Sequence, residues 1–435
     1  RAPQVGLTLL GPRASVLLLQ ASGPVGRSPL RAAPLPERRF LLPMTTRAKV
    51  AVLRTRPETV LDDYGRLIRL ADYERFLPKD RRTCLKINVS WQIWYPGCST
   101  TPWQLDGVLK AMLEDGYRKD LLYGCHNRTV VVDGEIGEVL NKQRPVLEKY
   151  GIETVHIQPK KLRDFRKMIE RGDWVRHESK ADLRVVPKTF PAGQFIPKRF
   201  YGENIFHFPT VKTHVHTVMT GAMKNAFGAL LHHERHWAHG CIHETLVDLL
   251  AEQKEIFSGL FAVMDGTLAG SGAGPRTMVP HEGDVILASG DQVAIDAIAS
   301  RLMGFDPMAI KFIRLAHERG LGVGDPREIE LVGDDVSKVN FGFTDGDNFA
   351  SRGQKALYRG MLKPIENLLM KTWLVPWSYL ASRAYHDWYW YNVHGRKWVK
   401  WALGTKWGKL FQSYPYRGAA TTPMPKSPSG ATSRR

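Results

Sequence analysis

Lys212 and Lys224 stand in the stretch VKTHVHTVMTGAMKNAFG, with Thr213, His214, His216, Asn225 and Gly228 around them. Lys86 and Asn88 close a separate apolar run, CLKINV. Ammonium groups that meet in one pocket recognise carboxylate or phosphate. A desolvated lysine crowded by other cations also loses its proton readily and can serve as a base or a Schiff-base nucleophile. Lys212, His214 and Lys224 are therefore the candidate catalytic groups. Lys86, Asn88, Thr101, Asn225, Gly272 and Gly274 are the candidate substrate contacts, and the expected partner is a small anionic molecule. Thr101 ends the hydroxyl run STT before Pro102, where hydroxyls cap a helix and free amides favour an anion. Gly272 and Gly274 lie in TLAGSGAGPR, where glycines let backbone amides converge on an anion. No Gly-Lys-Ser/Thr follows, so this is not a P-loop.

Eight of the fifteen histidines fall between His207 and His243. On an unbroken helix His232, His236, His239 and His243 would share one face, and neutral imidazoles so arranged bind zinc, nickel, copper or a haem edge. Gly240 is a poor helix-interior residue, and HHERH does not match HExxH, so an exposed polar helix is the plainer expectation. His214 is the preferred acid/base or ligand. Asp265 and Asp291, at two expected strand ends, are the carboxylates that would hold a divalent metal with His214 or orient the lysines. Asp296, on an Ala/Ile/Val-rich helix, must be either paired or functional. The four cysteines, Cys84, Cys98, Cys125 and Cys241, lack the spacing of a zinc or iron–sulfur motif, which points to free thiols in a reducing compartment.

The elements that must carry these residues alternate. Strands are expected at 49–53, 84–89, 129–132, 154–157, 204–208, 259–264, 285–288 and 328–332. Helices are expected at 57–77, 102–115, 136–149, 292–303 and 308–319. Residues 158–200 should form an excursion over the sheet. Apolar strands alternating with amphipathic helices argue an α/β fold with a mainly parallel or mixed sheet flanked by helices. Sites in such sheets lie at the carboxyl ends of strands, which puts Lys86, Asn88 and the 209–214 loop on one edge.

The net charge of +19 is concentrated at the ends. Residues 1–43 carry +5 and the residues after Asp387 carry +9, leaving +5 for 44–387. That distribution argues against a nucleic-acid groove in the core. Residues 1–43, rich in Arg, Pro and Ala, read as an upstream leader or disordered extension. The α/β core is expected over 44–345, an aromatic-rich helical C-terminal extension over 346–412, and a disordered tail over 413–435. Seven of twelve tryptophans lie between Trp373 and Trp407, among lysines and arginines. Such a segment suits an anionic membrane surface through 370–412, or rings that pack back on the core while lysines snorkel to water. Single-stranded nucleic acid is the least favoured partner. No apolar run reaches the ~18 residues that span a bilayer, so a cytoplasmic protein, peripheral at the membrane, is expected.

From Cys84 to Gly333 the order of motifs resembles the domain-of-unknown-function family 362. The matching pieces are LKIN, STTP, FPTVKTH, TGAMKNAFG, MDG with GSGAGPR, ASGDQVAIDAIASRLMGFDP, and GLGVGD followed by IELVG. The resemblance singles out Lys86, Asn88, Lys212, His214, Lys224, Asn225, Asp265, Asp291 and Asp296. Many relatives carry ferredoxin modules, which implies redox work; lacking such cysteines, this chain would need an external redox partner. The expected function is an enzyme binding a small phosphate or carboxylate, metal-dependent or redox. The alternative is a non-catalytic membrane-associated protein holding a metal or cofactor.

Overall fold

Asn204–Phe208 is buried at every position and lies inside the sheet, as its apolar run requires. The computed structural model describes residues 47–416 apart from 127, 130, 159–161, 233 and 371–374. In chain order the strands are β1 (Ala48–Arg54), β2 (Thr83–Ile87), β3 (Leu122–His126), β4 (Glu153–His156), β5 (Trp174–His177), β6 (Gln194–Pro197), β7 (Asn204–Phe208), β8 (Thr210–His214), β9 (Val218–Met219), β10 (Gly259–Ala273), β11 (Thr277–Ser289) and β12 (Ile329–Gly333). Ten of them form one sheet in the order β12-β1-β11-β10-β7-β2-β3-β4, with β8 and β9 branching from β10. Pairings are parallel except β1 with β11, β10 with β11, and β8 with β9. The fold is thus a mixed, mostly parallel α/β sheet. The pair β5–β6 stands within the 158–200 excursion as a separate two-stranded sheet.

Side chains alternate across the sheet and build a core on each face. Cys84, Cys125, Ile205, Met264 and Leu287 join one core with the helices Ile242–Ile256, Gln292–Met303 and Lys311–Glu318. Leu85, Ile87, Phe206, Phe208, Val263 and Ile286 join the other with Val60–Leu70 and Pro102–Glu114. Lys86 follows Cys84 by two residues and His207 follows Ile205 by two, so both point to the first face.

Several expectations are corrected. The third strand is Leu122–His126, not 129–132. The Thr129 hydroxyl accepts from the amides of Val131 and Val132 at 3.1 and 2.8 Å, closing a local turn that removes these β-branched residues from the sheet. The helix expected at 136–149 is two, Gly134–Leu140 and Gln143–Tyr150, broken at Lys142 with φ 58°. The buried Lys142 ammonium instead donates to the carbonyls of Phe411 and Tyr414 at 2.7 and 2.6 Å, capping the helix Lys406–Ser413. The histidine row is not one helix face. Residues Arg235–Cys241 wind as a 3₁₀ turn before the helix beginning at Ile242, and a three-residue turn does not align four-residue spacings. His232 packs on Phe165 and Phe190, His236 on Tyr379, His239 on Tyr358, and His243 on Phe312.

The C-terminal extension divides the two readings of its aromatics. Trp407 is buried, stacks on Trp103 at 5.5 Å and donates to Asp284 at 2.6 Å, whereas Trp377 and Trp388 are 64% and 67% exposed. Among the described residues, no helix is long and apolar enough to cross a membrane. Residues 1–43, Trp373 and 417–435 lie outside the described residues.

Candidate functional site

The carboxyl ends of β2 and β7 lie side by side, with Lys86 opposite His207 in register. Pro209 ends β7, and the chain continues as β8, every residue of which is buried. The Lys212 ammonium donates to Asn88 Oδ1 at 2.8 Å, the Cys98 carbonyl at 2.6 Å and Thr210 Oγ1 at 2.8 Å. Asn225 donates to the Lys86 carbonyl at 2.8 Å and accepts a long contact from the Asn88 amide at 3.5 Å. Asn88, Lys212 and Asn225 are therefore one network joining three separate segments.

Lys224 sits next to Asn225 on the short helix Gly221–Asn225. Its ammonium lies 5.4 Å from the centroid of the Phe227 ring and makes no hydrogen bond among the described residues. It is half-buried. Burial, then Lys212, then Arg235, push the Lys224 ammonium down to about 7. Burial pushes Lys212 to about 8 and Arg235 to about 10. Burial, followed by Lys224, His216, His239 and Lys212, holds His214 well below the usual imidazole range. His214 Nδ1 accepts the His216 amide at 3.1 Å, which leaves its proton on Nε2. His214 is thus a neutral imidazole with its N–H on Nε2.

Asp296 answers the question its apolar helix posed. Its carboxylate accepts the amides of Ala222 at 2.5 Å and Met223 at 3.0 Å and so anchors the helix that carries Lys224 and Asn225. Gly221 has φ 71°, and a Cβ there would fall 2.4 Å from that carboxylate, so glycine is required. Burial raises Asp296 to about 8.

Other expected site residues are placed elsewhere. The Lys86 ammonium donates to the Ile87 carbonyl at 2.8 Å and, with its pKa lowered by burial, sits among Cys125, Cys84 and Arg235. Arg235 takes the third cationic place beside Lys224; the sequence carried its position only as the arginine of HHERH. The Thr101 hydroxyl caps Pro102–Glu114 and donates to Asp265 at 2.8 Å. Asp265 also accepts from Tyr64, Trp103 and both the amide and hydroxyl of Thr267, at 2.7–2.9 Å. Asp291 caps the helix Gln292–Met303 through Val293 and Ala294 and accepts Val323 at 3.0 Å. The three expected metal ligands, Asp265, Asp291 and His214, do not form a cluster of donor atoms among the described residues. The expected glycine loop is also corrected, because β10 runs through it to Ala273. Gly274 packs so closely on β8 that a Cβ would fall 2.0 Å from the Thr213 carbonyl, and the Thr213 hydroxyl donates to the Gly272 carbonyl at 2.8 Å. Gly274 thus serves close packing against the lysine-bearing segment, whereas Gly272 has open space at its Cβ position and is set apart by its φ of 99°.

A family model described as domain of unknown function (DUF362) matches residues 84–301, from β2 to the helix Gln292–Met303. A thylakoid-associated protein of Synechocystis sp. is 27% identical over 131 residues, which are 29% of this chain and 40% of the relative. The chain therefore matches well under two thirds of that relative's length. No solved structure matches.

Proposed function

The chain belongs to the DUF362 family of domains of unknown function, and from that premise we propose that it binds a small carboxylate or phosphate at Lys224. Lys212, Arg235 and the Nε2–H of His214 complete the cationic and donor surface. One observation carries this reading: Lys224 is half-buried, makes no hydrogen bond among the described residues, and is disfavoured as a cation first by burial and then by two neighbouring cations, Lys212 and Arg235. Such a cation is costly to hold without an anion. An arriving anion would restore its charge, whereas the empty site would keep a neutral amine able to accept a proton or attack a carbonyl. The reading extends to an enzyme in which Lys224 moves the proton, while Lys212, its three protons given to protein acceptors, supplies fixed positive charge. Calorimetric titration of the full chain with inorganic phosphate and small carboxylates tests it. Binding is expected at pH 6, at least about tenfold weaker at pH 9, and lost in Lys224→Met. Equal affinity in Lys224→Met would end the proposal.

A second reading, peripheral membrane attachment, has its own support. Among the described residues, twelve of the fifteen exposed large apolar side chains lie between Phe349 and Tyr416, a segment that also exposes Arg396, Lys397 and Lys400. That composition fits an anionic lipid surface. The matched relative is named as thylakoid-associated, which points the same way. The two readings rest on different residues and are compatible.

A further inference from the structure

Away from the lysines, the ends of β3 and β4 bring together a second constellation. His126 closes β3, His156 closes β4, and the two are direct partners in register. The helix Gly134–Leu140 sets Glu138 between them, with His126 Nε2 2.6 Å from Oε2 and His156 Nε2 3.3 Å from Oε1. The two imidazole centroids are 4.9 Å apart. Among the described residues, this is the only group of three or more His, Cys, Asp or Glu side chains whose donor atoms all lie within 4.8 Å of one another.

From this geometry we infer that His126, Glu138 and His156 form a binding site for one first-row divalent transition metal, of the zinc or ferrous class. Two imidazoles and one carboxylate on neighbouring elements are the donor set such ions take while leaving coordination positions open. Both imidazoles present Nε2 to the carboxylate, so one ion can take the place of the protons they share with it. His126 and Glu138 are fully buried, while the His156 side chain is 33% exposed, so the constellation has a rigid base and an open side. Arg144 pairs with Glu138 Oε1. Its side chain is 30% exposed, so a metal would displace the guanidinium toward water and take over its role of neutralising the carboxylate. The ligands come from β3, β4 and the helix after β3, whereas Lys212 and Lys224 lie on β8 and a later helix. The two sites share no residue.

The test uses the full chain purified without a histidine tag, stripped with chelator, and dialysed against zinc or cobalt(II). One equivalent of zinc is expected, and cobalt(II) should give visible bands of a four- or five-coordinate ion. His156→Ala, at the exposed position, and Glu138→Gln should each weaken binding at least about tenfold. Arg144→Ala should bind as tightly as the parent chain or more tightly, because it frees Oε1. That last result separates the proposal from a purely structural Glu138–Arg144 pair, which would show no metal binding in any variant. Absence of binding by the folded parent chain overturns the proposal. So does one equivalent of metal that His156→Ala leaves unchanged, because the ion would then sit on the histidines between His207 and His243.

Discussion

Lys212 and Lys224 share a charge and a neighbourhood but differ in what holds them. Lys212 has three acceptors within 2.8 Å, one from each of Asn88, Cys98 and Thr210. Removing its side chain strands those acceptors in a dry interior, so Lys212→Ala should cost about 2–4 kcal/mol. Lys224 has no such commitments, and Lys224→Met should be nearly neutral or stabilising in the absence of ligand. Proton linkage separates the two states further. Folding lowers the Lys224 pKa from 10.5 to about 7, so between those values the unfolded chain holds a proton that the folded chain has released. Stability therefore rises with pH across that window and carries no further contribution above it. Urea unfolding at pH 6.5, 8 and 9.5 should show a steeper rise for the parent chain than for Lys224→Met. Matching slopes would mean that Lys224 is an ordinary solvated amine.

At the scale of elements, two buried carboxylates do the positioning. Asp296 ties the helix Gln292–Met303 to Gly221–Asn225 and thereby sets where Lys224 stands. Asp265, on β10, gathers Tyr64 from one helix and Thr101 and Trp103 from the start of another. Hydrogen bonds oppose the effect of burial on Asp265, whose pKa is nevertheless raised, and five donors converge on its two oxygens. Asp265→Ala would leave those donors buried and unsatisfied while opening a void. A loss of at least about 3 kcal/mol is expected, read as a lowered denaturation midpoint in chemical unfolding. A loss below about 1 kcal/mol would show that water replaces the carboxylate.

For the whole molecule, charge and apolar exposure coincide on the C-terminal extension. One side of the extension is docked through Trp407 and Phe411, the latter stacked on Trp94 at 4.3 Å. The other presents Trp377 and Trp388 to solvent. Co-sedimentation with vesicles containing anionic lipid should retain the full chain, and neutral vesicles should retain much less. Replacing Trp377 and Trp388 together with serine should weaken retention at least about tenfold, and raised salt should weaken it further. Retention unaffected by the serine pair would move the contact off this surface.

Local signals in the sequence were enough for the strand Asn204–Phe208, the helix Gln292–Met303 with its Asp291 cap, and the Pro102 helix start. Each depends on residues adjacent in the chain: a continuous apolar run, a capping carboxylate, a proline in the first turn. The two lysines of the KTH and KN motifs were likewise legible as chemistry. Only the tertiary structure decided which groups stand beside them. Arg235 replaced Lys86 as the third cation because Lys86 turns its ammonium back onto the Ile87 carbonyl within the sheet. The glycine run became a strand as far as Ala273 because Leu268–Ala273 pair across to β11. His126 and His156 are thirty residues apart in the chain, and no sequence spacing joins them to Glu138. They meet because neighbouring parallel strands end in the same register, a relation set by sheet pairing across the fold.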